Sequence, residues 1–86
     1  MADLTPHERT MLDFEREWWM LGGRKDDLIR SRLRMSPSTY YRGVQALIER
    51  EAALAYDPLT VKRLRRQRDE RRRQRVEGRR ADPGTR

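Results

Sequence analysis

The chain has 86 residues, 35% of them hydrophobic and 41% charged, with no cysteine and a net charge of +7. A chain this short holds one small core plus an appendage, which leaves little room for an enclosed active-site pocket. Without cysteine there is no disulfide or thiolate metal site, and no apolar run approaches the roughly 20 residues that span a bilayer.

The first predicted helix opens at Thr5-Pro6-His7-Glu8, a cap, a first-turn proline and a glutamate three residues after the cap. It is expected to reach about Leu21, where Gly22-Gly23 supplies a left-handed stop. Met11, Phe14, Trp18 and Leu21 recur at helical spacing, broadened by Leu12 and Trp19. Adjacent residues on a helix diverge by about 100°, so Trp18 is expected inside and Trp19 at an edge. The lone histidine, His7, reads as a solvated helix-start residue.

A second helix opens near Arg24 or Lys25, with Asp26 and Asp27 favouring its positive end and Leu28, Ile29 and Leu33 buried. A third begins at Ser36-Pro37, turns Tyr40, Val44 and Leu47 inward with Ile48 flanking, and is expected to end near Glu51. Residues 52–56 form a connector or one more helical turn. Asp57-Pro58 then caps a further helix whose apolar positions are Leu59, Val61 and Leu64. The fold class expected is all-α, with a three-helix core over residues 5–61, an arginine-rich helix or disordered arm over 62–80, and a frayed tail over 81–86.

Charge is segregated along this plan. Residues 1–61 carry a net −1, whereas residues 62–80 carry eleven Lys and Arg against Asp69, Glu70 and Glu77. The i,i+4 pairs Arg65–Asp69, Asp69–Arg73 and Arg66–Glu70 would satisfy a solvated helix. Three acids cannot neutralise eleven bases, however, so the run from Lys62 through Arg75 points to a polyanion.

The stretch from Ile29 to Leu47 places apolar residues at 29, 33, 35, 40, 44 and 47, the register of two short helices crossing over a tight turn plugged by Met35. It resembles the helix-turn-helix of bacterial transcription regulators, over Asp26–Arg50. Arg34 stands where many such turns carry glycine, which implies a different or wider turn. The resemblance implies an exposed recognition face. There, Arg42 reads guanine or a phosphate, Gln45 reads adenine, Ser38 and Thr39 meet phosphate at the helix start, and Tyr41 contacts phosphate or a thymine methyl. Gly43 permits close approach of the first helix or of DNA. Lys62, Arg63, Arg65, Arg66 and Arg68 are expected to track phosphates.

Glu15-Arg16-Glu17-Trp18-Trp19, Leu33-x-Met35-Ser36-x-x-x-Tyr40-Tyr41 and Asp57-Pro58-Leu59-x-Val61-Lys62-Arg63-Leu64-Arg65-Arg66 are, as a set, similar to a family of small actinobacterial proteins. That family is known only as a domain of unknown function with an expected helix-turn-helix. The resemblance covers roughly residues 8–68. It implies a regulator-like fold and carries over no catalytic residue.

No glycine-rich phosphate loop, His/Cys cluster or nucleophile–base arrangement is present. Asp26-Asp27, Glu15/Glu17 and Glu49/Glu51 read as surface carboxylates. The expectation is therefore a DNA-binding protein and not an enzyme. It would have no cofactor and no membrane partner, would sit in the cytoplasm at the nucleoid, and would act as a transcriptional regulator or nucleoid-associated protein. DNA is expected over RNA as the nucleic-acid partner. Homodimerisation through Trp18 or Trp19 is an open alternative. A second is an interaction module that docks on the transcription or translation machinery and holds RNA with the arginine arm.

Overall fold

A computed structural model describes residues 3–81. The element order is α1 (Pro6–Glu17), a 3-10 turn (Trp18–Met20), α2 (Lys25–Leu28) continuing into a π-helical turn (Ile29–Leu33), α3 (Pro37–Leu47), α4 (Glu51–Tyr56) and α5 (Pro58–Ala81). No strand occurs among the described residues, and the fold is all-α.

Helix starts follow the local chemistry closely. The Thr5 hydroxyl accepts the Glu8 N–H at 3.1 Å, and the Glu8 carboxylate accepts the Thr5 N–H at 2.8 Å, a complete capping box. Ser36 accepts the Thr39 N–H at 3.2 Å, and Asp57 accepts the Thr60 N–H at 3.2 Å. Helix ends diverge more. The α-helical part of α1 stops at Glu17 and tightens into the 3-10 turn before the left-handed Gly22 and Gly23. α3 stops at Leu47, and Glu51 opens α4 instead of closing α3.

Arg34 adopts the left-handed conformation itself, at φ 57°. The turn is thus of the kind glycine usually serves, and the widening lies in the π turn that precedes it. An L-residue held there costs roughly 1–2 kcal/mol.

Among the described residues twelve make the core: Leu4; Met11, Leu12 and Phe14 of α1; Ile29; Tyr40, Val44 and Leu47 of α3; Ile48; Ala53; and Val61 and Leu64 of α5. Trp18, Leu28, Leu33 and Met35 pack against this cluster, half-buried. Trp19 is 63% exposed. Gly43 faces α1, and a Cβ there would meet Met11 Cε at 3.1 Å.

The start of α5 lies deeper in the fold than expected. Its first turns belong to the core through Thr60, Val61 and Leu64, so the core extends past residue 61 and includes the start of the arginine-rich helix. Leu59 is 82% exposed. The helix begins at Pro58, and at about 100° per residue Leu59 falls on the side opposite Val61 and Leu64. The helix is continuous to Ala81, and the rest of the tail expected over 81–86 lies outside the described residues.

Glu15, expected at the surface, is buried. Its Oε2 accepts the Tyr40 hydroxyl at 2.5 Å and lies 3.0 Å from Lys25 Nζ. Burying a carboxylate is costly unless it is paired and hydrogen-bonded. Here α2 supplies the cation and α3 the hydroxyl. Lys25 Nζ also sits 5.2 Å from the Trp18 ring and 5.3 Å from the Tyr41 ring, within cation–π range of both. This cluster fixes α1, α2 and α3 against one another.

Candidate nucleic-acid interface

Three arginines of α5 are tied to the rest of the molecule. Arg63 donates to the Glu15 carbonyl at 3.0 Å, and Arg65 donates to the Ile48 carbonyl at 2.6 Å. Both acceptors lie at the C-terminal ends of α1 and α3, where carbonyls lack helical partners and the helix dipole favours a cation. Arg68 pairs with Glu49, just past α3, and with Asp69 at 3.1 Å. The N-terminal half of α5 is thereby stapled to the bundle by side chains that looked like phosphate ligands.

Because Arg65 meets Ile48 and Arg68 meets Glu49, α5 then runs back alongside α3. A groove of about 550 Å³ separates the two helices, lined by Tyr41 and Gln45 on one side and Arg68, Arg71, Arg72 and Arg75 on the other. The four arginines stand at i, i+3, i+4 and i+7, one face of a helix. That face continues the stripe that buries Val61 and Leu64. Where a helix packed on α3 would carry leucines, this one carries guanidiniums. Among the described residues no acidic partner is recorded for Arg71, Arg72 or Arg75.

The α3 wall is held rigidly. The Tyr41 hydroxyl donates to Asp26 at 2.9 Å, its ring meets Tyr40 edge-on at 5.4 Å between centroids, and Lys25 covers it. Desolvation and the Asp26 carboxylate push the Tyr41 ionisation up to about 12. Its hydroxyl is therefore engaged within the protein, and the ring is what it presents to the groove. Gln45 is half-buried and polar.

Of the residues expected to bind, the structure brings together Tyr41, Gln45 and Arg68. Ser38 and Arg42 are exposed on α3 outside the groove lining. Thr39 accepts the Ser36 hydroxyl at 2.9 Å and lines a separate, mostly apolar hollow with His7, Met11, Met35 and Gly43. Lys62 and Arg66 are exposed on the side of α5 away from the groove, and Arg63 and Arg65 are occupied as helix-end donors. Arg71, Arg72 and Arg75 were not singled out within the basic run. Their i, i+3, i+4 continuation of Val61, Leu64 and Arg68 was the signal that could have found them.

The expected Arg65–Asp69, Asp69–Arg73 and Arg66–Glu70 pairs do not form. Asp69 pairs with Arg68, and Glu70 pairs with Arg73. Among the described residues no group of three or more His, Asp or Glu side chains is placed to hold a metal ion. No helix there is long and apolar enough to cross a membrane.

The chain belongs to the family described as a protein of unknown function (DUF3263), whose model matches residues 3–76. That span takes in α1 to α4 and α5 through Val76, including the whole groove. No curated protein and no solved structure matches the chain.

Proposed function

We propose that this DUF3263 member is a DNA-binding protein, acting as a transcriptional regulator or a nucleoid-associated protein. In this reading α2, the Arg34–Ser36 turn and α3 serve as a helix-turn-helix. The observation that carries the proposal is the shared groove: Tyr41 and Gln45 of α3 face Arg68, Arg71, Arg72 and Arg75 of α5. A polar helix face beside a row of guanidiniums is the combination that duplex recognition requires. Base edges are read by polar side chains, and phosphates are held by cations. The Glu15–Tyr40–Lys25 cluster supports this, since it fixes α3 against α1 and α2 and so presents its outer face rigidly. The net charge of +7 would steer the protein toward any polyanion.

Gln45 and Arg42 are the side chains suited to base edges, and each bidentate contact discriminates by about 1–3 kcal/mol, or roughly 5- to 150-fold. Selection from a random duplex library at about 0.15 M salt, where non-specific binding is weakened, is expected to enrich a motif. Gln45→Ala and Arg42→Ala are expected to relax that motif at separate positions. A featureless retained pool, unchanged by either substitution, would refute sequence reading and leave RNA or an acidic protein surface as the ligand of the arginine helix.

A further inference from the structure

We infer that the α3–α5 groove takes the sugar-phosphate backbone of one DNA strand, so that the two helices clamp that strand between them. This rests on the reading of α3 as a major-groove helix. The major groove is about 12 Å wide and admits one α-helix. A helix lying in it therefore has a phosphate strand on each flank. On one flank of α3 stands α5, and the space between them is the groove lined by Arg68, Arg71, Arg72 and Arg75. A strand bordering that side of the major groove passes through it.

The chemistry of α5 fits this occupant. The face that buries Val61 and Leu64 becomes arginine from residue 68 onward, and it looks across open space at α3 instead of packing on it. Like charges at i,i+3 and i,i+4 repel one another by a few tenths of a kcal/mol per pair. An anion in the groove removes that repulsion. The opposite wall offers the Tyr41 ring, whose hydroxyl is already bound to Asp26, while Gln45, one turn further along α3, is left for the base edges. It is a wall for a sugar and phosphate to lie against, and no carboxylate lines the groove: Glu49 and Asp69 pair with Arg68, and Asp26 takes the Tyr41 hydroxyl. The four arginines span eight residues, about 10 Å of helix between the first and the last.

The clamp makes the arginines unequal. Lys62, Arg66 and Arg73 lie about 150° around the helix from the groove face and carry the same three charges as Arg71, Arg72 and Arg75. Binding of a labelled mixed-sequence duplex is measured against salt for the wild type, for R71Q/R72Q/R75Q and for K62Q/R66Q/R73Q. Each phosphate contact contributes about 0.9 to the log–log salt slope, so loss of three reduces it by about 2.7 and weakens binding roughly a hundred-fold at 0.15 M. The groove triple is expected to show that loss and the outer triple to keep most of the slope. All six side chains are exposed and outside the core, so the cooperative unfolding of the bundle is expected at the wild-type urea midpoint in both.

Equal losses in the two triples would overturn the clamp and leave a diffuse basic helix. Binding of the isolated single strand as tightly as the duplex, with the same loss in the groove triple, would also overturn it, because the groove would then take a free strand. Failure of the wild type to bind any duplex would overturn the DNA reading itself, and the clamp with it.

Discussion

Tyr40→Phe removes one oxygen from the centre of the molecule and nothing else. The ring is fully buried and meets Phe14 edge-on with 5.6 Å between centroids, contacts that phenylalanine keeps. What disappears is the hydroxyl donating to Glu15 at 2.5 Å. A hydrogen bond to a charged acceptor contributes about 1.5–3 kcal/mol, and Glu15 retains Lys25 at 3.0 Å, so a loss of about 2 kcal/mol is expected. Domains of this size are stable by only several kcal/mol. The loss corresponds to a fall of roughly 8–16 °C in melting temperature. Urea unfolding followed by tryptophan fluorescence is expected to show a lower midpoint with an unchanged slope. In a double-mutant cycle with Glu15→Gln the two effects are expected to be non-additive by more than about 0.5 kcal/mol. A cost below about 0.5 kcal/mol, or strict additivity with Glu15→Gln, would refute the buried pair as the tie between α1 and α3.

Arg34→Gly relieves the left-handed strain at φ 57° but loosens the unfolded chain, so a net gain of up to about 1 kcal/mol is expected in the same urea assay. Leu59→Lys changes a side chain that is 82% exposed and is expected to leave stability within about 0.5 kcal/mol, whereas Leu64→Ala, on the opposite face of the same helix, is expected to cost about 2–3 kcal/mol. Glu8 is held below its ordinary value of 4.5, first by the Thr5 backbone N–H and then by Arg50, so its contribution is present above pH 4.5 and lost as pH falls through the lower folded value. Glu8→Gln is therefore expected to flatten the acid limb of a stability–pH curve. Tyr41 is raised from 10.0 to about 12, so its contribution is intact below pH 10 and is lost as pH rises toward 12; Tyr41→Phe is expected to diminish that alkaline loss.

The features legible in the sequence were those whose cause lies within four residues. Thr5, Ser36 and Asp57 cap their helices because each side chain needs only the N–H three residues on. Tyr40, Val44 and Leu47 point inward because helical period alone decides it. Trp18 and Trp19 divide as their angular separation requires. Leu59 was grouped with Val61 and Leu64 only as an apolar position, although the same arithmetic puts it opposite Val61. Glu15 was unreadable for a different reason: its burial depends on Lys25 and Tyr40, which reach it from two other helices. The arginines divide in the same way. Nothing local distinguishes Arg63 and Arg65, which end on the carbonyls of Glu15 and Ile48, from Lys62 and Arg66, which face water. The overabundance of charge was visible, whereas its assignment depended on tertiary contacts.

The same division bears on where stability resides. Beyond Leu64 the described side chains of α5 bury no apolar residue, and Val76 is 45% exposed. A solvated helix carrying a row of like charges is marginal on its own, since most helical stability comes from packing an apolar face. Arg68–Glu49 ties this half to the bundle, and Arg73–Glu70 supports it locally. The core closes without it, as Val61 and Leu64 complete the cluster. The arm is thus the part of the molecule whose order can respond to an anion, while the wall facing it, built on Tyr40, Tyr41 and Lys25, cannot give way without opening the core. On the proposed DNA reading, a rigid wall opposite a helix stabilised by its ligand would let the groove adjust its width to a phosphate strand while α3 keeps the orientation that reading of base edges requires.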